Sequence, residues 1–198
     1  MSTLFTINNK LVKIGSKFCG VIAEPEPPTP PGPTFDEVTI GTQTWMAKNL
    51  AIDDGQGGIY TQTVNYGHGD VVEYYYIWKA AVRVAESIEG WHLPSDEEWT
   101  TLANAVGGSS VTGKKLKSSY GWNSGNGTDD YGFSAFPAGD WYRSSSFEQF
   151  GNQANFWTST QRSVSTCYCR YFNSNSSIYS NQKDSYNNGY SVRLIKDS

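Results

Sequence analysis

The chain has 198 residues, of which 15% are aromatic and 17% charged, and it contains 20 glycines. This length fits one domain of about 150 residues plus an appended segment, and the many glycines and aromatic residues argue against an all-helical architecture. The net charge of -4 and the pI near 5.1 exclude an extensive basic surface, so we expect no nucleic-acid partner and no attraction to anionic membranes.

The N-terminal part predicts a small hairpin followed by a linker. Residues 1–22 carry the β-like runs Leu4-Phe-Thr-Ile7 and Lys10-Leu-Val-Lys-Ile14, and a lone hairpin of this size is marginally stable in water. We therefore expect residues 1–22 to dock on a neighbouring subunit or a larger particle. Residues 23–34 hold six of the eight prolines and predict an extended spacer, which leaves residues 35–198 as the globular domain.

The N-terminus also lacks the basic and apolar regions of a signal peptide. No run in the chain approaches the roughly 18 apolar residues of a membrane span. We therefore expect either a trimmed N-terminus or a protein that is made and used without Sec export, and in both cases no insertion into a membrane.

The first half of the globular part predicts two strands, a loop and a helix. Residues 37–50 fit two strands joined by a turn at Gly41-Thr42. Residues 53–58, Asp-Asp-Gly-Gln-Gly-Gly, are interpreted as a turn, because further acids at calcium-ligand spacing are missing. Residues 74–87 predict a helix, since apolar residues recur on one stripe: Trp78, Ala81, Val82, Ala85 and Ile88.

A second helix is predicted from its capping residues. Ser95 at the N-cap and Glu98 three residues later fit a capping box, and residues 107–108, both glycine, end the helix near Val106. The acids at residues 96–98 could suggest catalysis. Acids in a first helical turn are favoured by the helix dipole, so we interpret them as capping residues.

The polar stretch from about residue 141 to 190 predicts a recognition surface. Ser, Asn and Tyr fill 18 of the 34 positions between Trp157 and Tyr190, and in antibody loops Tyr provides rigid contact area while Ser and Asn provide adaptable hydrogen bonds. The alternative is a disordered low-complexity tail. Large apolar residues recur through the stretch and argue against it: Phe156, Trp157, Tyr171, Phe172, Ile178 and residues 190–195.

The three cysteines, Cys19, Cys167 and Cys169, do not form a disulfide framework. A zinc site from Cys167, Cys169 and one of the two histidines, His68 or His92, would need an unusual Cys-x-Cys ligand spacing. We therefore predict no metal and no cofactor.

Five motifs occur in the order of a known family. They are Thr44-Trp-Met-Ala-Lys-Asn-Leu50, Gly90-Trp-His-Leu-Pro-Ser-Asp-Glu-Glu-Trp99, Gly132-Phe-Ser-Ala-Phe-Pro-Ala-Gly139, Phe156-Trp-Thr-Ser-Thr160 and Gly189-Tyr-Ser-Val-Arg-Leu194. Over residues 37–197 the chain resembles the Fibrobacter succinogenes major paralogous domain family of C-type-lectin-like folds. The resemblance implies an α+β domain with two helices, a long loop-rich insert that displays the ligand surface, and paired terminal strands that bring Val38 near Val192.

Within this domain we predict a core of large apolar residues. They are Trp45, Trp91, Trp99, Phe133, Phe136, Trp157 and Val192.

The motifs of calcium-dependent sugar-binding lectins, Glu-Pro-Asn or Gln-Pro-Asp with Trp-Asn-Asp, do not occur, so calcium-mediated sugar binding is not expected.

The C-terminal stretch also resembles the variable regions produced by diversity-generating retroelements, which replace template adenines with any base. An AAC codon becomes NNC, which can encode, among others, Asn, Ser, Tyr, Asp, Arg, Cys, Thr, Ile and Phe, but not Gln, Lys, Glu, Met or Trp. Trp157, Gln161, Gln182 and Lys183 are therefore predicted to be framework residues. If Phe172 points inward, strand alternation turns Tyr168 and Arg170 inward as well, and directs Cys169 and Tyr171 outward.

The predicted binding face consists of residues that an NNC codon can reach and that lie between framework anchors. They are Tyr142, Arg143, Ser145, Arg162, Ser163, Ser165, Thr166, Cys169, Tyr171, Ser176, Tyr179, Ser180, Asp184, Ser185 and Tyr186. We expect them to share one exposed face.

These resemblances imply a binding protein rather than an enzyme: a phage receptor-binding protein, carried on the virion, that recognises a bacterial cell-surface protein or glycan. Display on a bacterial surface is the alternative location. One alternative function is a cysteine-dependent enzyme of the formylglycine-generating type, because Cys167-Tyr-Cys-Arg-Tyr171 is similar to its reactive strand. The other is a structural module of a particle without diversification.

Overall fold

The structure is a computed structural model. It describes the backbone of residues 4–7, 10–13 and 178–184, and both backbone and side chains of residues 32–142, 145–174 and 185–198. The chain divides into two compact units, Met1–Pro31 and Gly32–Ser198. Most of the predicted linker, residues 23–31, lies outside the described residues.

The first unit contains a two-stranded antiparallel sheet. Strand β1 (Leu4–Ile7) pairs with β2 (Lys10–Lys13), with Leu4 opposite Lys13 and Ile7 opposite Lys10. Both strands of the predicted hairpin are therefore present. Its docking on a virion or subunit stays a prediction.

The second unit is a mixed α/β domain with twelve strands and three helices among the described residues. The strands are β3 (Glu37–Ile40), β4 (Gln43–Met46), β5 (Ile59–Asn65), β6 (Asp70–Ile77), β7 (Trp91–His92), β8 (Asp140–Tyr142), β9 (Ser146–Glu148), β10 (Gln153–Gln161), β11 (Thr166–Asn173), β12 (Ile178–Ser185), β13 (Gly189–Tyr190) and β14 (Ile195–Lys196). The helices are α1 (Trp78–Glu86), α2 (Asp96–Ala105) and α3 (Ser109–Leu116). No helix of the described residues is long and apolar enough to cross a membrane.

The strands of this unit form three antiparallel sheets in the described part of the chain. Their orders are β3-β4-β14-β7, β5-β6-β13-β8-β9 and β10-β11-β12. Strand β13 fits between β6 and β8 because Gly189 has no side chain: a Cβ there would lie 2.8 Å from the Cβ of Trp141. This narrow fit joins the C-terminal part of the chain to the centre of the largest sheet.

The predicted pairing of the terminal strands with each other is wrong, because β4 lies between β3 and β14. The C-terminal strand pairs through Ile195 with Trp45 of β4 on one side and with His92 of β7 on the other. Val38 also pairs with Trp45, from the opposite edge of β4. A tight turn at Gly41, with φ of 63°, keeps β3 on that edge, so β4 separates β3 from the closing strand.

The first predicted helix begins later than the apolar pattern indicates. Residues 74–77 belong to β6, and α1 begins at Trp78. The run Tyr-Tyr-Tyr-Ile favours a strand because aromatic and β-branched side chains suit a pleated, buried surface. Tyr75 and Tyr76 are both fully buried within the sheet, so tertiary packing outweighs the helical spacing.

The second predicted helix is confirmed, together with its capping box. The backbone N–H of Glu98 donates to Ser95 Oγ at 3.1 Å, and the backbone N–H of Ser95 donates to Glu98 Oε2 at 2.7 Å. Helix α3 was not expected from the sequence. It contains Thr112 and Gly113, which have weak helix propensity, and so gives little local signal.

The core consists of two buried clusters among the described residues. One lies against α1 and contains Trp78, Trp157 and Tyr190; the other lies against α2 and contains Trp99 and Phe133. Of the predicted core residues, those confirmed as buried are Trp45, Trp91, Trp99, Phe133, Trp157 and Val192. Phe136 is only half-buried, because its ring packs near the surface between Tyr66 and Tyr120.

Candidate binding face

Two exposed turns of the second unit lie side by side, and we call them together the turn face. It consists of residues 162–165, between β10 and β11, and residues 185–187, at the end of β12. The turns are adjacent because Thr166 pairs with Ser185 in the sheet. The hydroxyl of Tyr186 also donates to the carbonyl oxygen of Ser163 at 2.7 Å.

Most side chains of the turn face are exposed. Val164 is 98% exposed, which is unusual for an apolar residue of this size and leaves its whole side chain available for contact. Beside it lies a cavity of about 190 Å³, lined by residues of both turns together with Ile77 and Lys79. The face thus combines a projecting apolar tip with a small concave surface.

The backbone of the first turn is held by local hydrogen bonds. The N–H groups of Arg162 and Ser163 both donate to the carbonyl oxygen of Thr166 at 3.0 Å. The Ser163 hydroxyl oxygen accepts from the backbone N–H groups of Thr166 at 3.1 Å and Ser165 at 3.3 Å. The Ser163 side chain therefore stabilises the turn, whereas Val164 projects away from it.

Tyr186 joins the turn face to the core. Its ring stacks on Trp78, with ring centroids 4.8 Å apart and planes 17° apart. Its carbonyl oxygen accepts from the Trp78 backbone N–H at 3.2 Å. Because Trp78 starts α1 and is buried, Tyr186 anchors the second turn on a rigid helix end.

Tyr142 and Ser145 lie in the neighbouring β8–β9 hairpin. Gly189 of β13 pairs with Trp141, so the antiparallel register directs Tyr142 toward the turn at residues 185–187. Ser145 is exposed, and its backbone N–H and hydroxyl both donate to the carbonyl oxygen of Tyr142. This hairpin therefore extends the turn face along one end of the domain.

Tyr171 is placed away from the turn face. It lies five positions beyond Thr166 on β11, a distance of about 16 Å along a strand. It pairs with Asn155 and with Tyr179, and it is half-buried. The predicted face is therefore not brought together at one end of the sheet.

The remaining predicted positions are described only in part. The backbones of Tyr179, Ser180 and Asp184 belong to β12, with Asp184 opposite Cys167. Arg143 and Ser176 lie outside the described residues.

The outward orientation predicted for Cys169 is wrong, because its side chain is 1% exposed. It packs in the same cluster as Trp157 and Tyr190, and Cys167 packs there too. Cys169 does face the side opposite Arg170 and Phe172, as alternation predicts, but that side is also buried, because β11 is the central strand of its sheet and is covered on both faces. The ladder between β11 and β12 also shifts register between Cys169 and Tyr171.

The other face of β11 is held by a buried ion pair with α2. Arg170 is 3% exposed and donates to Asp96 Oδ1 and to the Asp96 carbonyl oxygen, both at 2.7 Å. It also donates to Thr100 Oγ1 at 2.7 Å. Asp96 thus has a structural partner, and the inward orientation expected for Arg170 and Phe172 is confirmed; Tyr168 is half-buried.

The described residues contain no group of three or more His, Cys, Asp or Glu side chains that could hold a metal ion. Asp53 and Asp54 accept from the backbone N–H groups of Gly55 and Gln56. Asp54 also forms an ion pair with Arg83 at 2.6 Å, and the Arg83 side chain holds the pKa of the Asp54 carboxyl below its ordinary value. The Asp-Asp-Gly segment is therefore a turn tied to α1.

The sequence reasoning missed two members of the turn face, Val164 and Asn187. Val164 lacked the polarity expected of a recognition residue, although an apolar residue between Ser163 and Ser165 in a polar run is a signal for an exposed tip. Asn187 lies in a turn whose position follows from the pairing of β11 with β12, which single-sequence reasoning does not provide.

The fold and the turn face define a small mixed α/β domain with antiparallel sheets and an exposed polar end. A family profile, that of the Fibrobacter succinogenes major domain (Fib_succ_major), matches residues 38–196. The chain therefore belongs to this family. Comparison with curated proteins and with solved structures finds no significant match.

Proposed function

We propose that the second unit is a ligand-binding domain with a C-type-lectin-like fold, and that the turn face is the centre of its binding surface. The observation that carries this proposal is the contrast between Val164, 98% exposed, and Tyr186, stacked on the buried Trp78. Exposed side chains on a backbone fixed by the core need little ordering when a partner binds. Such a surface suits recognition.

The contrast also supports diversification of the surface by a retroelement. Exposed positions tolerate nearly any residue, with changes in stability that are typically under about 0.5 kcal/mol. Residues 162, 164, 165, 185 and 187 are exposed and meet this requirement. Cys169 does not, and we assign it to the framework.

We propose further that the protein is carried on a phage particle and binds a protein or glycan of a bacterial surface. In this proposal residues 1–22 attach the chain to the virion or to a neighbouring subunit. The Pro-rich residues 23–34 would then space the binding domain from the attachment point.

The burial of the two thiols supports binding over cysteine-dependent catalysis. Cys167 is 0% and Cys169 1% exposed, so a substrate or copper ion would reach them only after the sheet opened. Thiol titration of the folded protein, with and without copper, separates the two hypotheses. Fast, copper-sensitive reaction of both thiols would favour the enzyme.

Binding of labelled protein to a panel of bacterial strains tests the proposal. A turn-face variant carrying Arg162→Ser, Val164→Asn and Ser165→Tyr should lose or change the strains it labels and keep its melting temperature. The matched control, Thr61→Tyr with Thr63→Tyr, changes exposed positions of β5 and should keep the parent's pattern. An unchanged pattern for the turn-face variant, or its loss in the control, would contradict the assignment of the site.

A further inference from the structure

A second concave site, which we call the Glu73 cavity, lies beside β6 and shares no lining residue with the turn face. Its volume is about 340 Å³, within the range of small-molecule sites. Its walls are mostly apolar and include Leu50, Tyr66, Val72 and Phe136. Val72 is 49% exposed, so this wall lies at the mouth of the cavity.

Glu73 provides the buried acidic group of this site. Its side chain lines the cavity, yet the residue is only 6% exposed. Oε2 accepts from Asn49 Nδ2 at 2.9 Å, and Oε1 accepts from the hydroxyl of Tyr66 at 3.0 Å. Each carboxylate oxygen can accept a further hydrogen bond. Because both present partners are donors, the arrangement suits the ionised carboxylate.

A fully buried arginine, Arg193, also lines the cavity without pairing directly with Glu73 in the described structure. Its guanidinium donates to Asn49 Oδ1 at 2.8 Å and to the carbonyl oxygens of Met46, Phe133 and Ser134 at 3.0, 2.6 and 3.0 Å. These carbonyls satisfy most of its donors. Arg193 therefore leaves the further acceptor capacity of the Glu73 carboxylate, beyond the bonds from Asn49 and Tyr66, to a partner in the cavity.

Aromatic rings surround the apolar part of the site. Phe136 packs on Tyr66, with ring centroids 4.7 Å apart, and on Tyr120, with centroids 5.0 Å apart. Tyr120 is 37% exposed at the surface. Aromatic faces attract both apolar groups and cations, whereas Glu73 repels anions. Lys48 and His68 also line the cavity. The Lys48 side chain is 79% exposed and pairs with Asp36 at 2.7 Å, and the His68 ring packs edge-on against Tyr120, with ring centroids 4.2 Å apart, so neither is paired with Glu73.

We propose that the Glu73 cavity binds a small organic cation of the arylalkylamine class. The ammonium group donates to the Glu73 carboxylate, and the ring packs against Tyr66, Phe136 and Leu50. A ligand of about ten non-hydrogen atoms fits the volume and is expected to bind with a Kd of about 1 mM or below.

The affinity of the site for an amine should depend on pH, because Glu73 must be ionised to attract the ammonium group. Burial raises the pKa of Glu73, and the hydrogen bonds from Asn49 and Tyr66 and the charge of Arg193 oppose this rise. A bound ammonium ion favours the ionised carboxylate. Affinity for the amine should therefore increase as the pH rises through the pKa of Glu73, while affinity for a neutral analogue should not.

Calorimetric titration of the full chain with three matched probes tests the proposal: 2-phenylethylamine, 2-phenylethanol and 3-phenylpropanoate. The amine should bind about ten-fold tighter than the alcohol, as expected for one charge-assisted hydrogen bond, and the acid should bind weakest. Glu73→Gln should remove this preference and leave the affinity for the alcohol within about two-fold.

A second pair of variants keeps the test decisive if Glu73→Gln fails to fold. Val72→Trp fills the mouth of the cavity and should abolish binding of both the amine and the alcohol. Val164→Trp, on the turn face, should change neither. The proposal is overturned by the absence of saturable amine binding at about 10 mM, by equal affinities for amine and acid, or by amine binding that persists in Val72→Trp.

Discussion

Replacement of Trp157 by alanine tests the framework on which the proposed binding face depends. Trp157 is 0% exposed, its ring lies 4.3 Å from that of Tyr190, and its Nε1–H donates to the carbonyl oxygen of Tyr76 at 2.6 Å. Truncating a buried Trp costs about 3–5 kcal/mol, and the unsatisfied carbonyl of Tyr76 adds roughly 1 kcal/mol. We therefore expect a loss of about 4–6 kcal/mol, which for a domain of this size lowers the melting temperature by roughly 10–20 °C.

Urea denaturation followed by circular dichroism measures this loss as a free energy of unfolding. Trp157→Phe retains part of the buried ring and should cost less than Trp157→Ala. The matched control is Val164→Ala, at the 98% exposed tip, which should stay within about 0.5 kcal/mol of the parent. A Trp157→Ala protein that unfolds within 1 kcal/mol of the parent, or a comparable loss in the control, would refute the division between framework and surface.

The remaining predictions concern a buried strand position, the first unit and a histidine. Cys169→Tyr should cost about 1–3 kcal/mol or more, because the buried site has no room for the ring. A thermal melt matching the parent's would contradict the burial of Cys169 in the core. A protein lacking residues 1–34 should stay soluble and melt cooperatively, as checked by calorimetry, since Gly32–Ser198 is a compact unit; aggregation would place the hairpin in the core. Burial alone lowers the pKa of His92, but hydrogen bonds to Glu98 at 2.8 Å and Asp197 at 2.6 Å raise it above its ordinary value. The contribution of His92 to stability is therefore present below about pH 6.5 and lost as the pH rises through the raised pKa. The urea midpoint should decrease as the pH is raised from about 6 to about 8. His92→Gln should reduce this decrease.

The elements that the sequence predicts well are those fixed by local interactions. Helix α2 starts where Ser95 and Glu98 cap each other, and both partners lie within one turn. The start of α1 was misplaced because residues 74–77 fit two periodicities. The choice between them depends on pairing with β5 and β13, and such long-range contacts leave no mark in a single sequence.

The candidate site also depends on long-range contacts that a single sequence does not show. The exposed turn at residues 162–165 follows from its polar composition, but the burial of Cys169 does not, because it depends on packing from both sides of β11. The Glu73 cavity was not anticipated at all. Its lining comes from segments as distant as Asn49, Tyr120 and Arg193, and only the folded chain brings them together.

The measurement that tests the proposed diversified face most directly is the sequence of this gene and its flanking DNA in closely related genomes. We predict that amino-acid differences concentrate at exposed positions of the turn face, within residues 162–165 and 185–187, while Trp157, Cys169 and Tyr190 stay unchanged. A reverse transcriptase gene and an imperfect repeat of the C-terminal coding region should lie nearby. Differences spread evenly over the domain, without such a repeat, would contradict the proposal that this surface is diversified.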